Sequence, residues 1–367
     1  MRRLASLSTV LAPSASKPTQ GVCLMPAIME QVETEQILRA HGGGGEMTGR
    51  LVAEHLLPIL ANEHLSPLTD SAVLNWPASN VVFTTDSYVV TPLEFPGGDI
   101  GRLAVCGTVN DLAVMGAVPV ALSLGLIIEE GLPLSTLDRI TASIAAAAKQ
   151  AGVCVVTGDT KVIERRGEPG MFINTAGIGR LRDGCRLDLG RVEPGDAIIV
   201  NGRIAEHGLA IMSVRAGLEF DSDLRSDAEP LAGLLGGLFD DGVDVKFLRD
   251  ATRGGLAGVL ADLSEGTHLT LEIDERSIPL SRTARHAAEM LGLDPLTVAN
   301  EGKVVCVVAA RDAERALRRL QRDPLGRSAA IIGKVTNTQP PLVELITVAG
   351  GRRIVQRPYG EELPRIC

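Results

Sequence analysis

The chain has 367 residues, 45% of them hydrophobic, which is enough apolar material for two domain cores of ordinary size. A formal charge of −9 argues against a basic nucleic-acid surface, and an aromatic content of 2%, with Trp76 the sole tryptophan, argues against recognition by base stacking or aromatic cages. Six scattered cysteines (Cys23, Cys106, Cys154, Cys185, Cys306, Cys367) form no C-x-x-C pair, so a zinc ribbon, a thioredoxin-type motif and a disulfide framework are excluded and a reducing, cytoplasmic compartment is expected.

Residues 1–35 read as a disordered or extended segment. They carry Arg2, Arg3 and Lys17 among Ser, Pro and Ala, show no acid before Glu30, and lack the continuous apolar run of a signal peptide. The folded part begins near Gln36. His41 and the run Gly42, Gly43, Gly44, Gly45 form a loop feeding a helix over 47–60, in which Met47, Leu51, Val52, Leu56, Ile59 and Leu60 recur at helical spacing. Such a junction offers backbone N–H groups and a favourable dipole to an anion, although glycine runs also serve as linkers.

Next come a strand over 81–86, a helix over 101–116 containing Asn110-Asp111, and a strand over 120–128. The most apolar stretch, 112–128, falls short of the roughly 20 residues a membrane span needs and is broken by Gly116, Pro119, Ser123 and Gly125. A helix over 134–151, a short buried strand over 153–157 and a strand over 172–179 complete a first domain, 36–190. The turn Glu193-Pro194-Gly195-Asp196 opens a second, 191–347. That domain has strands over 197–200, 269–273, 304–309 and 329–335 and helices over 205–216, 250–263 and 311–320. From about Val348 the chain reads as a flexible tail, 348–367. Both halves are α/β.

Three acids, Asp86, Asp111 and Asp159, stand at expected strand ends or in glycine-rich turns, where ligands of α/β folds collect. Hard oxygen ligands of this kind suit Mg²⁺ held jointly with substrate phosphates, and Lys161 could neutralise a phosphate. Singly, each acid could also cap a helix or make a turn. Asp250-Ala251-Thr252-Arg253-Gly254-Gly255 adds adjacent glycines and an arginine able to bind phosphate or carboxylate bidentately. Glu301 lies in Asn300-Glu301-Gly302-Lys303, a functional acid or a turn residue. His41 and His207 read as hydrogen-bonded structural residues. Walker, nucleophile-elbow and H-E-x-x-H motifs are absent. Cys367 is poorly placed for packing and well placed to carry a covalent group into a pocket; a tolerated surface thiol is the alternative.

Read together, His41 and its glycines, Phe83-Thr-Thr-Asp-Ser-Tyr-Val, the stretch from Phe95 to Asp111, Val156-Thr-Gly-Asp-Thr-Lys-Val, Asp250-Ala-Thr-Arg-Gly-Gly, Ala299-Asn-Glu-Gly-Lys and the ending Pro364-Arg-Ile-Cys367 resemble the HypE family of hydrogenase maturation factors. The resemblance runs in order from about His41 to the last residue. The ending is its most specific part; the acidic motifs alone are shared with aminoimidazole ribonucleotide synthetase, selenophosphate synthetase and thiamine-monophosphate kinase.

The resemblance implies a two-domain, aminoimidazole-ribonucleotide-synthetase-like fold. The first-domain sheets would join in a barrel across a homodimer, with ATP near the interface and a mobile C-terminal tail. It implies ATP-dependent dehydration of a carbamoyl group on Cys367 to a thiocyanate, the source of the cyanide ligands of [NiFe] hydrogenase iron. A HypF-type carbamoyltransferase would load the thiol and a HypC–HypD complex would accept the cyanide; neither nucleic acid nor membrane would be a partner. Asp86, Asp111 and Asp159 would hold Mg²⁺. ATP would be bound by His41, Gly42 to Gly45, these acids, Asn110, Thr160, Lys161, Thr252, Arg253 and Gly254. Cys367, Lys161 and Glu301 would carry the chemistry. A related synthetase or kinase acting on a free small molecule, or a non-catalytic maturation scaffold, are the other readings; the first would not need Cys367, and the second would not need the acids and phosphate loop together.

Overall fold

A computed structural model describes residues 36–38, 41, 46–66, 80–165, 167, 170–218 and 224–357. The expected N-terminal extension, Gly42 to Gly45 and Cys367 lie outside the described residues.

The first helix is interrupted. α1 (Glu46–Leu51) passes through a π turn (Val52–Leu56) into α2 (Leu57–Leu60). Pro58 opens α2 and lacks the N–H that would continue the regular ladder. A sheet then forms from β1 (Val81–Tyr88), β4 (Ala117–Glu129), β5 (Cys154–Ile163) and β6 (Met171–Leu181), in the order β1-β6-β4-β5, with a small hairpin of β2 (Glu94–Phe95) and β3 (Gly98–Asp99) before α3 (Ile100–Val114). The β4–β5 pair is parallel and the others antiparallel. α3 and α4 (Leu134–Ala151) cover one face, where Leu103, Val109, Leu124, Ile140, Ile144 and Ile173 are buried together. On the open face the side chains of Val81, Phe83, Val120 and Ile127 are exposed, Phe83 by 66%.

The second sheet holds seven strands: β7 (Ala197–Val200), β8 (Val245–Asp250), β9 (Thr270–Asp274), β10 (Val304–Val308), β11 (Ala330–Thr336), β12 (Val343–Ile346) and β13 (Arg352–Val355), ordered β13-β12-β9-β11-β7-β10-β8. The continuous apolar runs of β7 and β10 are explained by burial of both faces. Ile198, Val200, Val305 and Val307 enter one core with α7 (Gly255–Thr267) and α8 (Arg282–Leu291). Their neighbours Ala197, Ile199, Val304 and Cys306 enter another with α6 (Ala232–Asp240) and α9 (Ala313–Gln321). α5 (Glu206–Arg215) lies on the first of these sides. Ala113 and Val114 of α3 join the α6–α9 core, so this almost wholly buried helix is shared by both sheets. No described helix is long and apolar enough to cross a membrane.

Several expected boundaries move. The strand expected over 153–157 continues to Ile163 because parallel pairing with β4 persists, so Asp159 and Lys161 lie within a strand rather than in a turn after it. Asp111 is inside α3 and Asp86 inside β1. Asp250 ends β8, and the helix expected from that point starts only at Gly255. The segment after Val348 contains β13, which pairs with β12 and buries Val355.

Candidate active site

The site is built on α3. Asp86 faces this helix, for its register partner Thr175 hydrogen-bonds Thr108 of α3. Two residues earlier on the same side, Thr84 Oγ1 donates to Asp111 Oδ2 at 2.9 Å. Burial and the nearby Asp250 push the Asp111 carboxyl up to about 6; Thr84 and Arg253 oppose this, and Asp86 adds to it. Burial also raises Asp250, against the Thr252 hydroxyl and Arg249, with Asp86 again adding repulsion.

Glu301, in the turn entering β10, completes the group. It is 3% exposed, and its Oε1 has no hydrogen-bond partner. Burial first, then Asp250, Asp227, Asp86 and Asp111, push its carboxyl well above the usual range. His207 Nε2 stands 4.0 Å from Oε1, and His207 Nδ1 is 2.8 Å from Ser226 Oγ. Asn110 is buried with its amide committed to backbone: Nδ2 donates to the carbonyls of Glu229 and Glu301, and Oδ1 accepts the Leu231 N–H. One residue from Asp111, it ties the Glu301 turn to α3.

Thr252, Arg253 and Gly254 form the turn before α7. Gly255 has φ +59°, and a Cβ there would meet the Val298 and Leu296 carbonyls at 2.5 and 2.6 Å, so the tight entry requires glycine. The Gly255 and Ala257 N–H groups already donate to Thr252 and Leu296 carbonyls, which leaves exposed Arg253 as the principal anion donor of the turn.

The structure divides the sequence-predicted residues. Asp159 and Lys161 pair in register with Gly125 and Ile127, and Gly125 in turn with Asn174. Asn174 is one residue from Thr175, so alternation puts Asp159 and Lys161 on the open face, across the sheet from Asp86. Lys161 Nζ lies 3.3 Å from Asp159 Oδ2, and both side chains are largely exposed. The Thr160 N–H donates to Asp159 Oδ1. His41 is nearly buried; its Nδ1 accepts the Leu38 N–H, and burial, then His55 and Arg50, lower its pKa.

Among the described residues no three His, Cys, Asp or Glu side chains stand close enough to hold a metal ion by themselves. The donors Asp86, Asp111 and Asp250 are hard carboxylate oxygens under mutual repulsion, which fits a divalent cation that takes further ligands from a phosphate chain. Asp250 and Asp227 were not assigned roles from the sequence. Asp250 had a readable signal, an acid shortly before an arginine and paired glycines. Asp227 had none.

The description "AIR synthase related protein, N-terminal domain" matches residues 68–181, and "AIR synthase related protein, C-terminal domain" matches 193–344. Carbamoyl dehydratase HypE of Rhizobium leguminosarum bv. viciae is 46% identical over 329 residues, covering 89% of this chain and 94% of that protein. The crystal structure of hydrogenase maturation protein HypE in complex with ATP superposes with a TM-score of 0.86 at 41% identity, covering 90% of this chain and 99% of that one. A HypE–HypF complex matches with a TM-score of 0.73 at 44% identity, over 84% of this chain and 99% of that one.

Proposed function

The chain belongs to the HypE family of carbamoyl dehydratases, and from that membership we propose that it uses ATP to dehydrate a carbamoyl group carried on Cys367 to a thiocyanate. The thiocyanate supplies the cyanide ligands of [NiFe] hydrogenase iron. A HypF-type carbamoyltransferase loads the thiol, as the HypE–HypF complex of a relative supports, and a HypC–HypD complex accepts the product. The observation that carries the reading is 46% identity over 89% of the chain to a carbamoyl dehydratase HypE, in a chain where half-buried Asp86, Asp111 and Asp250 and buried Glu301 gather beside α3.

The carbamoyl oxygen is a poor leaving group. Transfer of the ATP γ-phosphoryl to it releases ADP and one N–H proton. Cleavage of the C–O bond then releases phosphate with the second N–H proton and leaves S–C≡N. Such transfer rests on positioning and charge neutralisation. Gly42 to Gly45 and Arg253 bind the phosphates. Asp86, Asp111 and Asp250, with Asp159, would hold Mg²⁺, which when bound neutralises charge on the phosphate chain. Glu301, whose carboxyl is pushed well above the usual range by burial and the neighbouring acids, and Lys161 handle the nitrogen protons. The tail alternates between the site and the loading partner.

The open face of the first sheet, whose exposed Val81, Phe83, Val120 and Ile127 form an apolar surface, supports a homodimer. Two such faces would close into a barrel. Asp159 and Lys161 lie on that face, so each serves the site of the second copy, where that second copy supplies Asp86, Asp111 and Glu301.

The test is intact mass after incubation with carbamoyl phosphate, Mg-ATP and a purified HypF-type partner. The expected result is an adduct on the wild type that loses one water only with ATP, and no adduct on Cys367→Ala. An unmodified wild-type chain beside an active partner would refute the reading.

A further inference from the structure

Glu301 Oε1 has no hydrogen-bond partner and stands 4.0 Å from His207 Nε2, while its peptide is hydrogen-bonded at both its N–H and its carbonyl. The Glu301 carbonyl accepts Asn110 Nδ2 at 3.0 Å, and its N–H donates to Asp227 Oδ1 at 3.1 Å. Asp227 is 8% exposed, and its other oxygen, Oδ2, has no hydrogen-bond partner but forms an ion pair at 2.8 Å with Lys303 Nζ, which donates its hydrogen bond to the Gly302 carbonyl. Between them, Gly302 admits no side chain: a Cβ would fall 1.9 Å from the Asp227 carbonyl oxygen. The Asp227 segment is itself anchored, with the Ser226 N–H on the Pro96 carbonyl and Ser226 Oγ on the Ala228 N–H and His207 Nδ1. A buried ion pair is weak as a stabilising device, because desolvation offsets most of its attraction. Its geometric effect here is specific: Lys303 keeps Asp227 charged and in place, and Asp227 fixes the peptide that carries Glu301.

We propose that Asp227 is a positioning residue for the dehydration step, its Lys303-paired carboxylate clamping the Glu301 peptide so that the Glu301 carboxyl meets the carbamoyl nitrogen. The proposal rests on the reading of Glu301 as the proton-handling acid. The Asp227 carboxylate itself contacts only the Glu301 turn and Lys303. Asp86, Asp111 and Arg253, which face the phosphates, hang on other elements. Loss of the clamp therefore lowers the dehydration rate and leaves ATP affinity alone.

Two double variants of the full chain separate the hydrogen bond from the ion pair. Asp227→Asn/Lys303→Met removes both charges and keeps an acceptor for the Glu301 N–H. Asp227→Ala/Lys303→Met removes the charges and the acceptor. Single-turnover dehydration of the carbamoylated protein, ATP affinity and hydrogen exchange at the Glu301 amide are measured for both. We expect the Ala/Met chain to dehydrate about 10- to 100-fold more slowly than the Asn/Met chain, the scale of small misplacements in an active site. ATP affinity should agree within about twofold, and the Glu301 amide should exchange faster in the Ala/Met chain, as expected when a local hydrogen bond is lost. Equal dehydration rates would overturn the proposal. So would a parallel loss of rate, ATP affinity and melting temperature, which marks a purely structural role. Faster Glu301 exchange in a protein whose wild type never dehydrates the adduct would instead sink the functional reading while leaving the clamp in place.

Discussion

The division of acids by the first sheet makes a sharp prediction about mixed dimers. Asp86 and Thr175 face α3, whereas Asn174, Gly125, Asp159 and Lys161 face away from it. Side chains on opposite faces of one sheet are separated by the backbone layer itself, and stacked layers lie about 10 Å apart. Lys161 is therefore set apart from Glu301 of its own chain, and in the proposed homodimer it serves the site of the partner. Lys161→Ala and Glu301→Gln chains, each inactive as a homodimer, are co-expressed with different tags and the mixed dimer purified. One of its two sites then has an intact Glu301 and an intact Lys161 from the neighbour, so dehydration should return to about half the wild-type rate per dimer. The mirror pairing, wild type with Lys161→Ala/Glu301→Gln, should be almost inactive, because each site lacks one group. Phosphate release and loss of water from the adduct mass are read for both. An inactive first dimer together with a half-active second one would refute the reasoning and put both residues in one protomer's site.

Phe83→Glu puts a charge on the open face, at its most exposed apolar side chain, so light scattering should give a monomer at micromolar concentration, with normal circular dichroism and dehydration lost along with the dimer. Asp111 titrates at about 6 in the folded, metal-free protein and near 3.8 when unfolded. The folded state thus holds the extra proton between these values, and stability of the metal-free protein falls as pH rises through that window. Asp111→Asn should then raise metal-free stability at pH 7 by about 1–2 kcal/mol after allowance for solvent screening, measured by urea unfolding, while weakening Mg-ATP binding. Gly255→Ala combines φ +59° with contacts near 2.5 Å and should cost at least ~2 kcal/mol, read as a lower melting temperature.

What was legible in the sequence depended on how far each residue's role was local. The helix over 134–151 carries its 3.6-residue pattern on one amphipathic face, and β7 and β10 announce themselves as runs buried on both sides. Asp86 and Asp111 sit in motifs whose neighbours are also their structural partners. The failures have the opposite cause. β5 runs past Gly158 only because β4 continues beside it, a fact held in another segment of the chain. Asp250 read as the start of a helix because the glycines after it looked like its entry, and only antiparallel pairing with β10 makes it a strand end. Asp227 has an unremarkable sequence context; its importance appears once Lys303 and the Glu301 peptide close on it across 74 residues of chain. The same logic explains why the acids repel one another. Residues brought together solely by the fold, and left with a carboxyl oxygen unpartnered in the interior, store free energy that a cation and phosphates can release on binding. The metal-free protein is thus less stable for having a site at all, and the rise in stability of Asp111→Asn measures how much of that cost one carboxylate carries.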